Sequence, residues 1–368
     1  MPHGGSCFAF SSLPMLRGHL LIRRTLFCAL LCLAWTAILQ SQQPIPDACA
    51  KCHLQARTQP LTQMGLALQT PKGSPILAAH SKLTFRRGEY SYEIDTRSGQ
   101  STYTVSDGSN TVSFPILWSF GAGNQTWVFE RDGELYESLV SYYKLIDGLD
   151  MTTGDDKLPT SSLEEAAGRE LIAGEVKDCF GCHSTNSSTD GKLNSSELHP
   201  GLSCVSCHKD APMHLAAILR GKQDSVPSEL GAISTEEISN FCGQCHRTWE
   251  KVVRNHWRGE FNVRFQPYRL ANSKCFNGAD PRISCVACHD PHQPLAQGAS
   301  YYDNKCLACH SSSARSSVGA VPAHAPACPV AKANCVSCHM PKVNFPGGRL
   351  VYTDHQIRIA RPGDPYPN

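Results

Sequence analysis

Seven pairs of cysteines in this chain are two residues apart, and a histidine directly follows each pair. This CxxCH spacing attaches haem covalently, because the two thiols add across the vinyl groups of one haem and the histidine reaches the iron as proximal ligand. Zinc ribbons use two CxxC pairs per metal, which would leave one of the seven over, and a thioredoxin-like redox site uses only one. Histidine is only 16 of 368 residues, so its recurrence after every pair predicts seven covalently bound c-type haems. The predicted attachment cysteines are Cys49, Cys52, Cys179, Cys182, Cys204, Cys207, Cys242, Cys245, Cys285, Cys288, Cys306, Cys309, Cys335 and Cys338, and the proximal ligands are His53, His183, His208, His246, His289, His310 and His339.

The sixth ligand of each iron decides between two kinds of chemistry. A second strong ligand makes an electron carrier, whereas an open position permits substrate chemistry. Seven histidines lie outside the motifs and the N-terminal leader, one for each motif. One of them, His292, is too close to His289 to reach the opposite face of the same haem, so it would serve a neighbouring one. The distal candidates are His80, His199, His214, His256, His292, His324 and His355, together with Met64, whose thioether can replace an imidazole.

Two functions therefore stay open at this point. If every iron has a distal ligand, the protein carries electrons and transforms no substrate. If His199 or His256 is only structural, one iron keeps an open position, and the protein would be a reductase or oxidase of small nitrogen or sulfur species. Arg254, Arg258 and Arg264 could then attract an anion, although they could equally pair with haem propionates. A structural, filament-forming cytochrome is a third alternative.

The elements that carry the motifs are expected to be short helices between loops, except in one long interval. His53 and His183 are 130 residues apart, and this gap contains four runs rich in β-branched and aromatic residues, at 82–85, 90–94, 101–105 and 126–129. Turn signals containing glycine separate them, which predicts antiparallel hairpins. Farther on, serines at 161 and 162 ahead of two glutamates predict a helix over 162–175.

We predict a multihaem cytochrome with mainly short α-helices and loops around stacked haems and an inserted antiparallel β-rich segment. The reason is that about 200 residues that hold six haems cannot also build an ordinary core. The predicted divisions are a signal peptide or N-terminal anchor at 1–41, a first haem segment at 42–74, a β-rich domain at 75–160 and a six-haem cytochrome domain at 161–368.

The N-terminus indicates export. Three arginines precede an apolar run from Thr25 to Leu39, which is too short for a membrane span of about 20 residues but suits a secretory signal. No small-residue cleavage site is clear, and an uncleaved leader would anchor the chain in the membrane. The predicted location is the periplasm, with redox proteins such as quinol dehydrogenases, cytochromes and outer-membrane conduits as partners. A net charge of +2 gives no indication of a nucleic-acid partner.

Two cysteines of the mature chain lie outside the haem motifs. In an oxidising compartment, an even remainder favours pairing, so Cys275 and Cys328 are predicted to form a disulfide. The alternative is that both are free thiols near haems.

Several of these segments resemble a known family. The residues 200–208, which end in the third motif and are followed by His214, resemble the tetrahaem cytochromes that receive electrons from hydroxylamine oxidoreductase. The segments 285–292, 335–342 and 353–355 look like related periplasmic multihaem cytochromes.

This resemblance covers about residues 175 to 360. It implies closely packed haem pairs and electron transfer in the periplasm or outer membrane, and it supports His214, His292 and His355 as distal ligands. The chain also departs from the wider superfamily: pentahaem nitrite reductases bind the catalytic haem through CxxCK, and no CxxC here is followed by lysine. The β-rich segment lies outside the tetrahaem pattern.

Overall fold

The structure is a computed structural model that describes residues 48–158, 160–189, 192–222, 233–310 and 328–367. From Cys49 onward the described residues belong to one compact unit. The predicted leader and the distal candidate His324 lie outside the described residues. Within the described ranges, no helix is both long enough and apolar enough to cross a bilayer.

An antiparallel sheet is the largest element, and its strands pair in chain order. Two short strands join it from outside this order, because β1 pairs with β5 and β9 pairs with β7. The strands are β1 (Leu68–Gln69), β2 (Lys82–Arg87), β3 (Tyr90–Arg97), β4 (Gln100–Ser106), β5 (Thr111–Phe120), β6 (Gln125–Arg131), β7 (Glu134–Tyr143), β8 (Gly148–Met151) and β9 (Gly168–Glu170). The four runs predicted from composition all lie inside strands of this sheet, namely β2, β3, β4 and β6.

The sheet has its own aromatic core. Alternating side chains face inward in β3, where Tyr90, Tyr92 and Ile94 are buried, and in β4, where Tyr103 and Val105 are buried. Phe129 of β6 stacks on Phe114 of β5, with ring centroids 4.5 Å apart. Large aromatic side chains contribute most of the apolar area that a core removes from water, so this sheet is stabilised by its own packing.

The predicted fold class is therefore wrong. The chain is not a mainly helical protein built around stacked haems, because the extended antiparallel sheet with its own core is the dominant element. The prediction failed because it assumed that the cofactors supply most of the buried apolar surface. The sheet is also larger than the hairpins that were predicted, because β1 joins it from before the hairpins and β9 joins it from after them.

The α-helices are short, and several of them carry CxxCH motifs. They are α1 (Gln55–Thr58), α2 (Pro75–Ala79), α3 (Leu163–Ala167), α4 (Ala173–His183), α5 (Cys204–Cys207), α6 (Ala211–Leu219), α7 (Thr235–His246), α8 (Trp249–Arg254), α9 (Gln266–Ala271), α10 (Cys285–Cys288), α11 (Ala299–His310) and α12 (Cys335–His339). Two-stranded pairs lie between some of them: β10 (Ser184–Thr185) with β13 (His199–Pro200), β11 (Ser188–Thr189) with β12 (Lys192–Leu193), and β14 (Lys342–Asn344) with β15 (Val351–Thr353).

The single helix predicted over 162–175 is instead two helices with a strand between them. Its start is confirmed, because the Ser162 side chain accepts a hydrogen bond from the backbone N–H of Glu165 and so caps α3. The helix ends at Ala167 because the chain then pairs with β7 as strand β9. Tertiary pairing thus overrides the local helical preference, and α4 begins as a separate helix at Ala173.

Candidate haem-binding site

The CxxCH motifs adopt the helical turn that their chemistry needs. In the first, third and fifth motifs, the backbone N–H of the histidine donates to the carbonyl of the first cysteine at 2.8 to 2.9 Å. This places the imidazole one turn beyond that thiol, where it can reach the centre of the same haem. Helices α4, α7 and α11 end on the motif histidine, and α5, α10 and α12 consist almost entirely of a motif. None of the fourteen motif cysteines of the described residues is in a disulfide, so each sulfur is available for haem attachment.

Three motif histidines each face a second histidine across a similar gap. The ring centroids are 6.2 Å apart for His53 and His214 and 6.1 Å apart for His208 and His292. They are also 6.1 Å apart for His289 and His355. A metal–imidazole bond is about 2 Å and the centroid lies about 1 Å behind its nitrogen, so two imidazoles on one iron have centroids about 6 Å apart. The spacing of these pairs therefore fits an iron between them.

Hydrogen bonds to Nδ1 orient several of these rings. The Nδ1 of His183 lies 2.9 Å from the carbonyl of Ala67, and that of His355 lies 3.0 Å from the carbonyl of Thr353. In His339 the same atom lies 3.0 Å from the carbonyl of Arg358. A backbone carbonyl accepts only from a protonated Nδ1, which leaves the Nε2 lone pair for a metal. This is the tautomer that haem ligation requires.

Burial also keeps the imidazoles neutral. Removal from water lowers the pKa of His183, His246 and His289 below the ordinary value. Burial lowers the pKa of His355 further, to about 4. Because only the neutral imidazole has a free lone pair, these rings are in the ligand-competent form at neutral pH. The Nδ1 of His289 is buried without a hydrogen-bond partner among the described residues.

The sheet packs directly against the second motif, and a β-bulge in β5 turns the contacting side chains toward it. Ile116 pairs with Phe129, but Trp118 pairs with Val128, so Leu117 is an extra residue in the strand. A shift of one residue moves the following side chains to the opposite face of the sheet. Trp118 and Phe120 of that face contact Phe180 of α4 edge-on, with centroids 6.1 and 5.0 Å away.

The same strand also fixes the second motif's histidine. The Phe120 ring lies 5.2 Å from the His183 ring. The carbonyl of Ala67, which accepts from His183, also accepts from the backbone N–H of Gly121 at 2.8 Å. The imidazole is therefore held by backbone that directly flanks strands β1 and β5 of the sheet.

The first and third motifs are joined through their flanking segments. Gln59 Nε2 donates to the carbonyl of Leu202 at 2.7 Å, and the N–H of Leu202 donates to the carbonyl of Met64 at 2.9 Å. Gly201 has a φ of +75°, and a Cβ there would lie 1.8 Å from the carbonyl oxygen of Gly65. Only glycine permits this approach, which explains one residue of the 200–208 segment on which the family resemblance depends.

Thiols of different motifs also lie against one another. The Cys245 thiol donates to Cys182, and this contact lowers the pKa of Cys182 to about 6 and raises that of Cys245. Cys242 likewise donates to Cys285, whose pKa it lowers to about 7. Similar contacts join Cys49 with Cys204 and Cys306 with Cys335. The attachment points of different motifs are therefore neighbours in space.

The last motif is held by a carboxylate from the helix before it. Asp303 of α11 is buried and accepts from the backbone N–H groups of Asn334 and Cys335 at 2.6 and 2.8 Å. These two hydrogen bonds lower the pKa of Asp303. A carboxylate at the first turn of a helix satisfies donors that have no partner within the helix, so Asp303 fixes the start of α12 against α11.

The other distal candidates have different surroundings. In His80, Nδ1 lies 2.8 Å from the carbonyl of Ile76 and Nε2 lies 3.2 Å from Asp147 Oδ1, so neither nitrogen is directed to a motif. His199 is an exposed residue of β13, and His256 is an exposed residue with a φ of 53° that follows α8. The half-buried Met64 lies beside the segment ahead of the third motif.

Two of the arginines considered as an anion site contact different partners. Arg254 pairs with Glu250 one turn earlier in α8. The Arg264 guanidinium lies over the rings of Phe265 and Phe345, 5.2 and 5.0 Å from their centroids.

The structure does not join the two cysteines that are predicted to form a disulfide. Cys275 and Cys328 are both exposed and unbridged. Instead, Cys275 lies near the motif cysteine Cys309, and backbone N–H groups that follow Cys328 lower the pKa of its thiol. The disulfide stays a prediction of the parity argument, and two free thiols stay its alternative.

Comparison with known proteins adds one result. Residues 154–209 match the family described as "Cytochrome c554 and c-prime". The match spans the second and third CxxCH motifs, and it supports a c-type cytochrome with covalently bound haem and an electron-carrying role. Neither a curated protein nor a solved structure gives a significant match to the chain.

The sequence did not reveal the residues that support the imidazoles. Asp303 and the carbonyl of Ala67 act through contacts with residues far away in the chain. The same holds for Arg269, which donates two hydrogen bonds to Asp354, the residue before His355.

Proposed function

We propose that this protein is an exported heptahaem c-type cytochrome that carries electrons between redox partners. The observation that carries the proposal is the set of three facing imidazole pairs, in each of which one member belongs to a CxxCH motif. Haem supplies a one-electron couple that needs no substrate when both axial positions hold imidazole. The family match over 154–209 supports the same role at the level of a c-type cytochrome.

In this proposal the distal ligands are His214 for the first motif, His292 for the third and His355 for the fifth. His292 lies three residues after His289 but faces His208, as expected for a ligand that serves a neighbouring motif. Asp290 accepts a hydrogen bond from the backbone N–H of His292 and lies 3.2 Å from its Nδ1. Through Nδ1 this carboxylate would fix the ring and leave Nε2 as the ligand atom.

The contacts between thiols support an order for the motifs. Contacts join the first motif to the third, the fourth to the fifth and the sixth to the seventh, and the second is joined to the fourth. Weaker interactions link Cys207 with Cys242, and Cys288 with Cys306. We propose that electrons follow this order, with the second motif as a branch from the fourth.

The periplasmic location and the partner class are part of the same proposal. Thioether attachment of haem is made outside the bacterial inner membrane, and the arginine-flanked apolar leader supports export. The partners would be redox proteins, such as quinol dehydrogenases, other cytochromes or outer-membrane conduits.

The test is the haem-to-protein ratio from the pyridine haemochrome, together with an electron paramagnetic resonance spectrum of the oxidised protein. Seven haems per chain with only low-spin signals would support the conduit. A ratio well below seven would contradict the haem assignment. A stoichiometric high-spin signal would contradict the pure carrier and favour a reductase or oxidase, for which nitrite, hydroxylamine and tetrathionate are the substrates to try.

A further inference from the structure

Three carboxylates surround one guanidinium beside the second motif. Arg169 of β9 donates from Nη2 to Glu137 of β7 at 2.7 Å and from Nη1 to Glu175 of α4 at 2.7 Å. Its Nε lies 3.5 Å from Asp155 Oδ1, in the turn after β8. We call these four residues the Arg169 cluster. Its members come from four separate elements, so the fold assembles it.

The cluster contains more negative charge than its arginine can compensate. Asp155 is only 8% exposed, and its Oδ2 is buried without a hydrogen-bond partner. If all three acids were ionised, two negative charges would remain uncompensated around the buried Asp155 carboxyl group, which is unfavourable even though Glu175 is 38% exposed. A proton on Asp155 would relieve this charge and give Oδ2 a hydrogen.

The groups facing Asp155 determine its affinity for that proton. Burial raises the pKa of Asp155 to about 6, and the charges of Glu137, Glu175 and Asp156 raise it as well, whereas Arg169 lowers it. Burial also raises the pKa of Glu137. The cluster can therefore gain and lose a proton near neutral pH, unlike an ordinary carboxyl group.

The cluster lies next to the second motif. Glu175 lies one helical turn before Cys179 on α4. Burial raises the pKa of the Cys179 thiol to about 11, Glu137 and Glu175 raise it as well, and Arg169 lowers it. Three members of the cluster therefore lie close enough to act electrostatically at the position through which this motif would attach its haem.

We propose that the Arg169 cluster is a proton-binding site that takes up a proton when the haem attached at Cys179 and Cys182 is reduced. The inference rests on the proposed function, since it requires haem at the second motif. On reduction, a redox partner would supply one electron to the haem held at the second motif, and the solvent proton pool would supply one proton, which would form an O–H bond with the Asp155 carboxylate. Both leave again on oxidation, and no other bond changes.

The expected size follows from electrostatics. Reduction adds one negative charge, and across a protein interior such a charge changes proton affinity by about tenfold. For a one-electron couple, tenfold corresponds to 59 mV. One haem potential should therefore fall by about 59 mV in total as the pH rises from 5 to 8.

The experiment is a spectroelectrochemical titration of the complete holoprotein from pH 5 to 8, with protons counted during electrode reduction in weakly buffered solution. Asp155→Asn should abolish this pH dependence and lower proton uptake, whereas Asp155→Glu should retain both. The control is Glu170→Gln, which removes an exposed carboxylate next to Arg169 in sequence and should behave like wild type. Equal proton uptake in wild type and Asp155→Asn would overturn the proposal.

A second measurement needs no variant. The infrared difference spectrum of reduced minus oxidised wild-type protein at pH 6 to 7 should contain the C=O band of a newly protonated carboxyl group. Its absence would overturn the inference even if Asp155→Asn did not fold. The haem-to-protein ratio of the same sample separates the two proposals, because a fully loaded protein without the band contradicts only the proton site.

Discussion

Arg269 binds Asp354 through two hydrogen bonds, from Nε to Oδ1 at 2.8 Å and from Nη2 to Oδ2 at 2.9 Å, and neither side chain is exposed to solvent. Asp354 also accepts from Arg358 Nη1 at 2.7 Å. The next residue, His355, faces His289. The buried ion pair therefore fixes the backbone that presents a proposed distal ligand.

Removing one partner of this pair should be costly. Asp354→Asn leaves the Arg269 charge buried without a carboxylate, and we expect a loss of about 3–5 kcal/mol in the free energy of unfolding. Urea unfolding of the holoprotein measures this loss. The control is Asp364→Asn, which changes an exposed aspartate in the same C-terminal segment and should alter stability by less than about 0.5 kcal/mol. Equal stability of the two variants would contradict the structural role of the pair.

Loss of His292 should change the spin state of one haem without changing the haem content. We expect His292→Ala to convert one low-spin signal to high-spin, because His208 would keep its iron but lose the facing imidazole. Electron paramagnetic resonance with a haem assay measures both quantities. The matched control is His80→Ala, since the His80 nitrogens face Ile76 and Asp147, and its spectrum should be unchanged. The assignment fails if the two variants give the same spectrum.

Removal of Phe180 should destabilise the interface between the sheet and the second motif. The side chain is fully buried, and a Phe→Ala change in such a position costs about 3–5 kcal/mol. We expect Phe180→Ala to lower the denaturation midpoint and to perturb one haem spectrum, because Phe120 loses its edge contact beside His183. The 49% exposed Phe261 provides the control. A loss for Phe180→Ala no greater than that for Phe261→Ala would argue against this packing.

The Arg169 cluster should also influence the pH dependence of stability. The folded-state pKa of Asp155 is raised to about 6, above its ordinary value of about 3.9. Between these values the folded state holds more protons than the unfolded state, so this residue's contribution to stability is lost as the pH rises from about 4 to 6. Asp155→Asn should remove that component, as measured by urea unfolding at several pH values. If the stability of wild type and variant changed with pH in parallel, Asp155 would make no such contribution.

Asp303 should stabilise the last motif in the opposite pH direction. Its hydrogen bonds to Asn334 and Cys335 lower its pKa, so its contribution is present at neutral pH and is lost as the pH falls through the folded-state value. We expect Asp303→Ala to lower the unfolding midpoint at pH 7 and to have little effect in acid. Hydrogen exchange at the start of α12 tests this, since both amides should exchange faster at pH 7. Unchanged protection would refute the capping role.

The residues that carry local signals were predictable, and those that act across the chain were not. The CxxCH spacing identifies each motif without a structure. The turn glycines likewise marked the hairpins, and in Ser98–Gly99 and Asp132–Gly133 both residues have positive φ, as such tight turns require. By contrast, the recruitment of β9 by β7 and of Arg269 by Asp354 depends on tertiary contacts that leave no spacing rule in the sequence. The fold class was wrong because the sheet builds its own aromatic core, which an argument from haem-filled cores does not anticipate.

The extra residue at Leu117 has a consequence for how this protein could have evolved. Strand β5 contributes Phe114 and Ile116 to the core of the sheet, and after the bulge it contributes Trp118 and Phe120 to the second motif. The sheet and the second motif could not be replaced separately, because residues of the single strand β5 pack in both. Insertions should therefore be tolerated in the turns of the sheet but not in β5, where a one-residue change of length would exchange the two environments.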